Sequence, residues 1–100
     1  MQFIVIGRDG TDASALDRRL KARAEHLKQA DEMRERGELL YAVAILDGAD
    51  KMVGSVMITE FSDRAELDRW LAREPYLLGK VWETIEITAG RVAPAFARRT

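Results

Sequence analysis

One stretch constrains this chain more than any other: residues 15–36 hold neither glycine nor proline and lie between two runs of β-forming side chains. Within it Leu16, Leu20, Ala24 and Leu27 recur at intervals of three or four and continue to Ala30 or Asp31, which predicts a long amphipathic helix. Gly10, Thr11, Asp12 and Ser14 supply turn and N-cap chemistry just before it, so the helix is expected to begin near Ser14. Gly37 stands where a left-handed residue closes a helix, after a last turn carrying Arg34 and Arg36. At about 1.5 Å per residue such a helix is about 33 Å long, more than enough to cross a sheet. Its leucine stripe needs a surface to lie on.

Residues 2–7, Gln-Phe-Ile-Val-Ile-Gly, read as a first strand stopped by glycine. Residues 39–46 are apolar in both alternation sets, and the loop Asp47-Gly-Ala-Asp-Lys51 joins them to residues 53–60 as a hairpin. Ser62 or Asp63 caps a second helix through Leu67, Trp70 and Leu71, which Pro75 is expected to end. Residues 80–88 form a last strand, with Val81, Ile85 and Ile87 on one face and Trp82, Thr84, Glu86 and Thr88 on the other. A tail, 91–100, carries Pro94 and the arginines Arg91, Arg98 and Arg99, expected to be solvated. The order is β-α-β-β-α-β, an α+β chain with a ferredoxin-like four-stranded antiparallel sheet. At 100 residues it has material for one hydrophobic core and is expected to be a single domain throughout.

Right-handed crossovers put both helices on the same side of such a sheet and leave its other face bare. Yet Phe3 and Val5 oppose Ile4 and Ile6 in the first strand. In the second strand Leu39, Tyr41, Val43 and Ile45 oppose Leu40 and Leu46. An apolar face of several hundred Å² seldom stays wet, so a homodimer through the sheet face is expected. The alternative is that the tail, with Val92 and Phe96, folds over part of that face or reaches across to the partner.

Sixteen basic and 17 acidic residues leave a net charge of −1, without the positive field that nucleic acid rewards. No apolar run approaches the length that spans a bilayer, and the N-terminal run has no basic leader, so neither membrane insertion nor secretion is expected. The sequence has no cysteine, which excludes disulfides and thiolate chemistry and fits a reducing, cytoplasmic setting.

His26 is the only histidine. On a helical projection it falls about 100° from the leucine stripe, on the flank of Arg19 and Arg23, where a side chain can face a cleft or simply be solvated. Glu74 stands at i+7 from Leu67 and i+4 beyond that residue lies Leu71, a spacing that aims a carboxylate along the buried stripe of the second helix. Such a group needs a partner, or the last turn releases it to water or to Arg73 or Lys80. Tyr76 can donate a hydrogen bond to a ligand or pack in the core, and Ser55 beside Gly54 can face a pocket or permit close packing. Trp70 and Trp82 read as core or interface residues. One histidine and no cysteine argue against a tight transition-metal site, and no Gly-rich phosphate loop or nucleophile elbow is present.

Several stretches together resemble the YCII-related family of small dimeric α+β barrel proteins. They are the start Met1-Gln-Phe-Ile-Val-Ile, the helical segment from Arg18 through Arg23 and His26 to Leu27, and Gly37-Glu-Leu-Leu. Gly54-Ser-Val-Met-Ile-Thr-Glu60-Phe, Glu74-Pro75-Tyr76 and the strand from Val81 complete them. The resemblance implies a ferredoxin-like fold that dimerises through its sheet, with a histidine and an acid in a cleft between helices and sheet. Carried over, these are His26 and Glu74, glutamate standing where the family's usual residue is aspartate. The implied activity is general acid–base chemistry on a small molecule without a cofactor: an elimination, isomerisation or hydrolysis. His26 would move the proton, Glu74 orient it, and Arg23 or Tyr76 hold a substrate oxygen. A non-catalytic ligand-binding or accessory domain is the alternative.

Overall fold

The computed structural model describes residues 1–97; Arg98 and Arg99, read above as solvated, lie outside them. The elements follow as β1 (Gln2–Asp9), α1 (Ala15–Glu35), β2 (Leu39–Leu46), β3 (Met52–Glu60), α2 (Arg64–Leu71), α3 (Pro75–Leu78) and β4 (Trp82–Gly90). A 3₁₀ turn at Pro94–Phe96 closes the described tail. The strands form one antiparallel sheet in the order β2-β3-β1-β4, the ferredoxin-like arrangement.

Glycine does not stop β1. Gly7 lies inside the strand, because the indole of Trp82 packs over its backbone and a Cβ there would come within 2.4 Å of the ring. The strand therefore runs on to Asp9 and brings that carboxylate onto the same sheet face as Phe3 and Val5.

Gly37 ends α1 as the sequence indicates, with φ 79° and two closing bonds, from Glu38 N to Met33 O at 2.8 Å and from Gly37 N to Arg34 O at 3.1 Å. Ser14 is the N-cap but makes no side-chain capping bond. The Asp12 carboxylate instead accepts from the Ser14 amide at 3.3 Å.

The face that α1 buries differs from the leucine stripe. Ala15, Arg19, His26 and Met33 are buried and Ala22 and Ala30 pack on the core, while Leu20 and Leu27 are about half exposed. Alanines allow the helix to approach closely, and each polar residue turned inward finds a buried partner. Half-exposing a leucine forfeits about 1 kcal/mol, whereas the paired polar groups avoid the several kcal/mol that an unpartnered buried charge costs.

Pro75 does not terminate α2. That helix, capped by Asp63 through the Glu66 amide at 2.9 Å, ends at Leu71, and Pro75 opens the separate turn α3. Glu74 is the N-cap of α3, in extended backbone at φ −67° and ψ 125°, rather than a member of the α2 stripe.

Two of the sheet's three register irregularities decide which side chains meet. Between Arg8 and Asp9 the pairing passes from Thr84 to Trp82, so Glu83 is extra and Trp82 turns to the helix side with Ile85 and Ile87, not outward with Thr84. Between Leu39 and Tyr41 a second shift puts Leu39 in the core opposite Thr59 and Tyr41 on the far face opposite Ile58. The core between helices and sheet is built from Phe3, Val5, Met57, Leu67, Trp70, Trp82 and their neighbours. The far face carries Ile4, Ile6, Val56 and Ile58 with Tyr41 and Val43, the last two 70% and 50% exposed. Val92 is tied to that face's end through its amide and Gln2 Oε1 at 2.6 Å, while Phe96 is 82% exposed. Among the described residues no helix is long and apolar enough to cross a membrane.

Candidate functional site

His26, Glu74 and Tyr76 meet where α1 crosses α3. The extended backbone before Pro75 directs the Glu74 side chain inward, where Oε1 accepts from the Tyr76 amide at 3.3 Å and is hydrogen-bonded to His26 Nδ1. Glu74 is 1% exposed and His26 7%. A carboxylate that already accepts an amide proton acts as acceptor toward the ring as well, which assigns the imidazole proton to Nδ1. In the neutral ring Nε2 then carries the lone pair, and it has no hydrogen-bond partner among the described residues.

Aromatic contacts fix the plane of that ring. Tyr76 stacks on His26 with centroids 3.8 Å apart and planes 11° from parallel, and Trp82 meets both rings edge-on at 6.3 and 5.7 Å. Two turns back along α1, the Arg19 guanidinium lies 4.6 Å from the centroid of Tyr76, a cation–π contact. Arg19 Nη1 donates to both oxygens of Asp9 at 2.9 and 3.1 Å, and Nη2 donates to Ser55 Oγ at 2.8 Å. The Arg19 and Asp9 side chains are each 3% exposed.

Burial pushes the Asp9 carboxyl above its ordinary range, against the pull of Arg19. Burial also raises the Tyr76 hydroxyl, opposed by Arg19 and Arg23, so the phenol stays protonated and can donate.

A cavity of about 180 Å³ opens beside this stack. His26, Tyr76, Ser55, Arg19 and Arg23 line it, with Met57 and Met52 as apolar wall and Leu27 and Val43 at its rim. No carboxylate lines it, so its side-chain polar surface, His26 Nε2 apart, is cationic or hydrogen-bond donating. A larger hollow of about 760 Å³ lies between the end of α1 and the tail, by Arg34, Leu39 and Phe96; it contains no histidine and no stacked pair.

The five residues singled out from the sequence are thus gathered around one place: His26 and Glu74 in contact, Tyr76 and Ser55 buried at the cavity, and Arg23 exposed at it. Sequence reasoning missed Asp9, Arg19 and Trp82. Arg19 sits seven residues before His26, hence on the same helical face, and Asp9 continues the alternation of Phe3, Val5 and Gly7; both signals were present once the strand is extended past its glycine. Among the described residues no group of three or more histidine or acidic side chains is placed to hold a metal ion.

Fold and cleft together define a small ferredoxin-like α+β protein with a buried histidine–carboxylate pair. The YCII-related domain family matches residues 1–90, and the chain belongs to that family. No curated protein matches the sequence. Among solved structures, the chain is similar to 5-chloro-2-hydroxyhydroquinone dehydrochlorinase from Burkholderia phenoliruptrix AC1100, determined in complex with 2,5-dihydroxybenzoquinone. The identity is 17%, the TM-score 0.83, and the match covers 95% of this chain and 98% of the other. It is also similar to an antibiotic biosynthesis monooxygenase, at 22% identity and TM-score 0.55 over 94% and 100% of the chains. A dimeric ferredoxin-like protein of unknown function from Jannaschia sp. CCS1 matches at 15% identity and TM-score 0.55, over 91% and 98%.

Proposed function

We propose that this chain is a small-molecule enzyme that moves a proton with His26, working as a homodimer and without a cofactor. The observation that carries the reading is the buried Glu74–His26 hydrogen bond, which leaves Nε2 unoccupied beside a donor-lined cavity. In an elimination, Nε2 takes a proton from the substrate, the electron pair of the broken bond forms the new double bond, and the leaving group departs with its own pair. Glu74 stabilises the imidazolium that forms, and that imidazolium returns its proton to the leaving group or to another substrate atom. Isomerisation uses the same two transfers, and hydrolysis substitutes a water for the substrate proton donor. Tyr76 and Arg23 hold a substrate oxygen.

The cavity volume, about 180 Å³, suits one substituted six-membered ring. The dehydrochlorinase structure, with its bound dihydroxybenzoquinone, supports oxygenated rings as the first compounds to try. For the homodimer, the support is the far sheet face, where Tyr41, Val43, Ile6 and Ile58 form an apolar surface that a second copy would cover. The lack of cysteine fits a cytoplasmic setting.

The test is a screen of hydroxylated quinones and hydroquinones for thermal stabilisation, followed by turnover assays on the compounds that bind. His26→Ala should abolish turnover while the chain stays folded and self-associated. Undiminished turnover in that variant refutes the reading.

A further inference from the structure

We infer that Ser55 is the residue that selects the ligand, because Arg19 fixes its hydroxyl as a hydrogen-bond donor directed at an acceptor oxygen on the bound molecule. This inference rests on the cavity being the ligand site, as proposed above. A serine hydroxyl has one proton to give and two lone pairs with which to accept. Arg19 Nη2 occupies one lone pair at 2.8 Å, and a guanidinium has no acceptor to offer in return. Arg19 is itself held by the two Asp9 oxygens, so it cannot turn away. Among the described residues the Ser55 hydroxyl proton has no acceptor, although the side chain is only 5% exposed and lines the cavity.

A buried donor without a partner is unfavourable, and a ligand acceptor removes that penalty. The adjacent positive charge withdraws electron density from the hydroxyl and strengthens it as a donor. Of the cross-strand neighbours of Ser55, Gly7 is covered by the Trp82 indole, while Ala44 is small and lines the cavity, which leaves the hydroxyl accessible from that side. Phenolate, enolate or carbonyl oxygens therefore fit this position. An ammonium has no acceptor for that proton and meets the positive charge of Arg19, so it is disfavoured.

The test compares two ligands that differ by one oxygen, 4-fluorophenol and fluorobenzene, with binding to the full chain read by fluorine NMR. Wild-type protein should favour 4-fluorophenol, and Ser55→Ala should shrink that preference about tenfold, the effect of one hydrogen bond to a polarised partner. Ser55→Thr keeps the hydroxyl and should retain most of the preference. No preference in the wild type, or an unchanged one in Ser55→Ala, overturns the inference. This readout involves no turnover, so it is separable from the acid–base reading, which fails on undiminished turnover in His26→Ala whatever Ser55 does.

Discussion

The imidazole of His26 lies flat against the phenol ring of Tyr76, 3.8 Å between centroids and 11° from parallel. The Tyr76 backbone N–H donates a hydrogen bond to Glu74 Oε1, so the same carboxylate that binds the imidazole also sets the position of the ring stacked on it. A histidine held at one nitrogen and one face has little freedom to misdirect its second nitrogen.

Removing the stacking ring should loosen that alignment. Tyr76→Leu is expected to lower kcat by 10- to 100-fold, the scale of a small misplacement of a reacting group. Tyr76→Phe keeps the stack and should act mainly on KM by removing the hydroxyl. Steady-state kinetics of the two variants on a compound from the screen checks this split.

Glu74→Asp restores the family's usual acid but withdraws the carboxylate by one methylene from a backbone that Pro75 holds in place. The hydrogen bonds from His26 and from the Tyr76 N–H should both weaken, with a loss of about 1–3 kcal/mol in stability and a drop in kcat. Urea denaturation measures the first and turnover the second. Glu74→Gln keeps the length and should be the better folded of the two.

A charge on the open sheet face should prevent self-association. Ile6 pairs with Val56 near the middle of that face, and Ile6→Asp is expected to give a folded monomer at concentrations where the parent is a dimer. Sedimentation or light scattering reads the mass directly; a parent chain that is monomeric at high concentration removes the homodimer from the proposal.

Acid should act on the loop before α1. The Arg18 guanidinium grips both oxygens of Asp12, at 2.8 and 2.7 Å, and lowers that carboxyl from 3.8 to about 2. A depressed carboxylate contributes stability that is present in full above its unfolded value and is lost as pH falls toward its folded one. Between pH 4 and pH 2 the parent should therefore lose stability more steeply than Asp12→Asn. Thermal melts across that window test the sign.

Element order and the helix stop at Gly37 were legible because each depends on local chemistry: apolar alternation, an uninterrupted helical run, a left-handed glycine. The His26–Glu74 pairing was legible through family resemblance and through the oddity of a carboxylate near a buried stripe, though the stripe itself was misassigned. What escaped was decided by contacts remote in sequence. Leucines normally mark the inward face of a helix, but α1 buries Arg19 and His26 because Asp9, Ser55 and Glu74 wait for them, and no window along the helix displays those partners. Gly7 has the look of a terminator until Trp82, far along the chain, is seen resting on it. Pro75 ends helices and begins them equally well; only the extended backbone at Glu74 distinguishes the two.

The unmatched Glu83 has a consequence for how this fold can vary over time. Parity along the last strand changes at that point, so straightening the strand with Glu83 still in place would turn the Glu83 side chain inward and swing the Trp82 indole outward. The histidine would lose its edge-on neighbour and the sheet backbone at Gly7 would lie uncovered, an outcome no conservative replacement elsewhere could repair. Loss of Glu83 itself should thus be tolerated, since it leaves Trp82 opposite Asp9 and inward, whereas re-registration of the strand around it should not be.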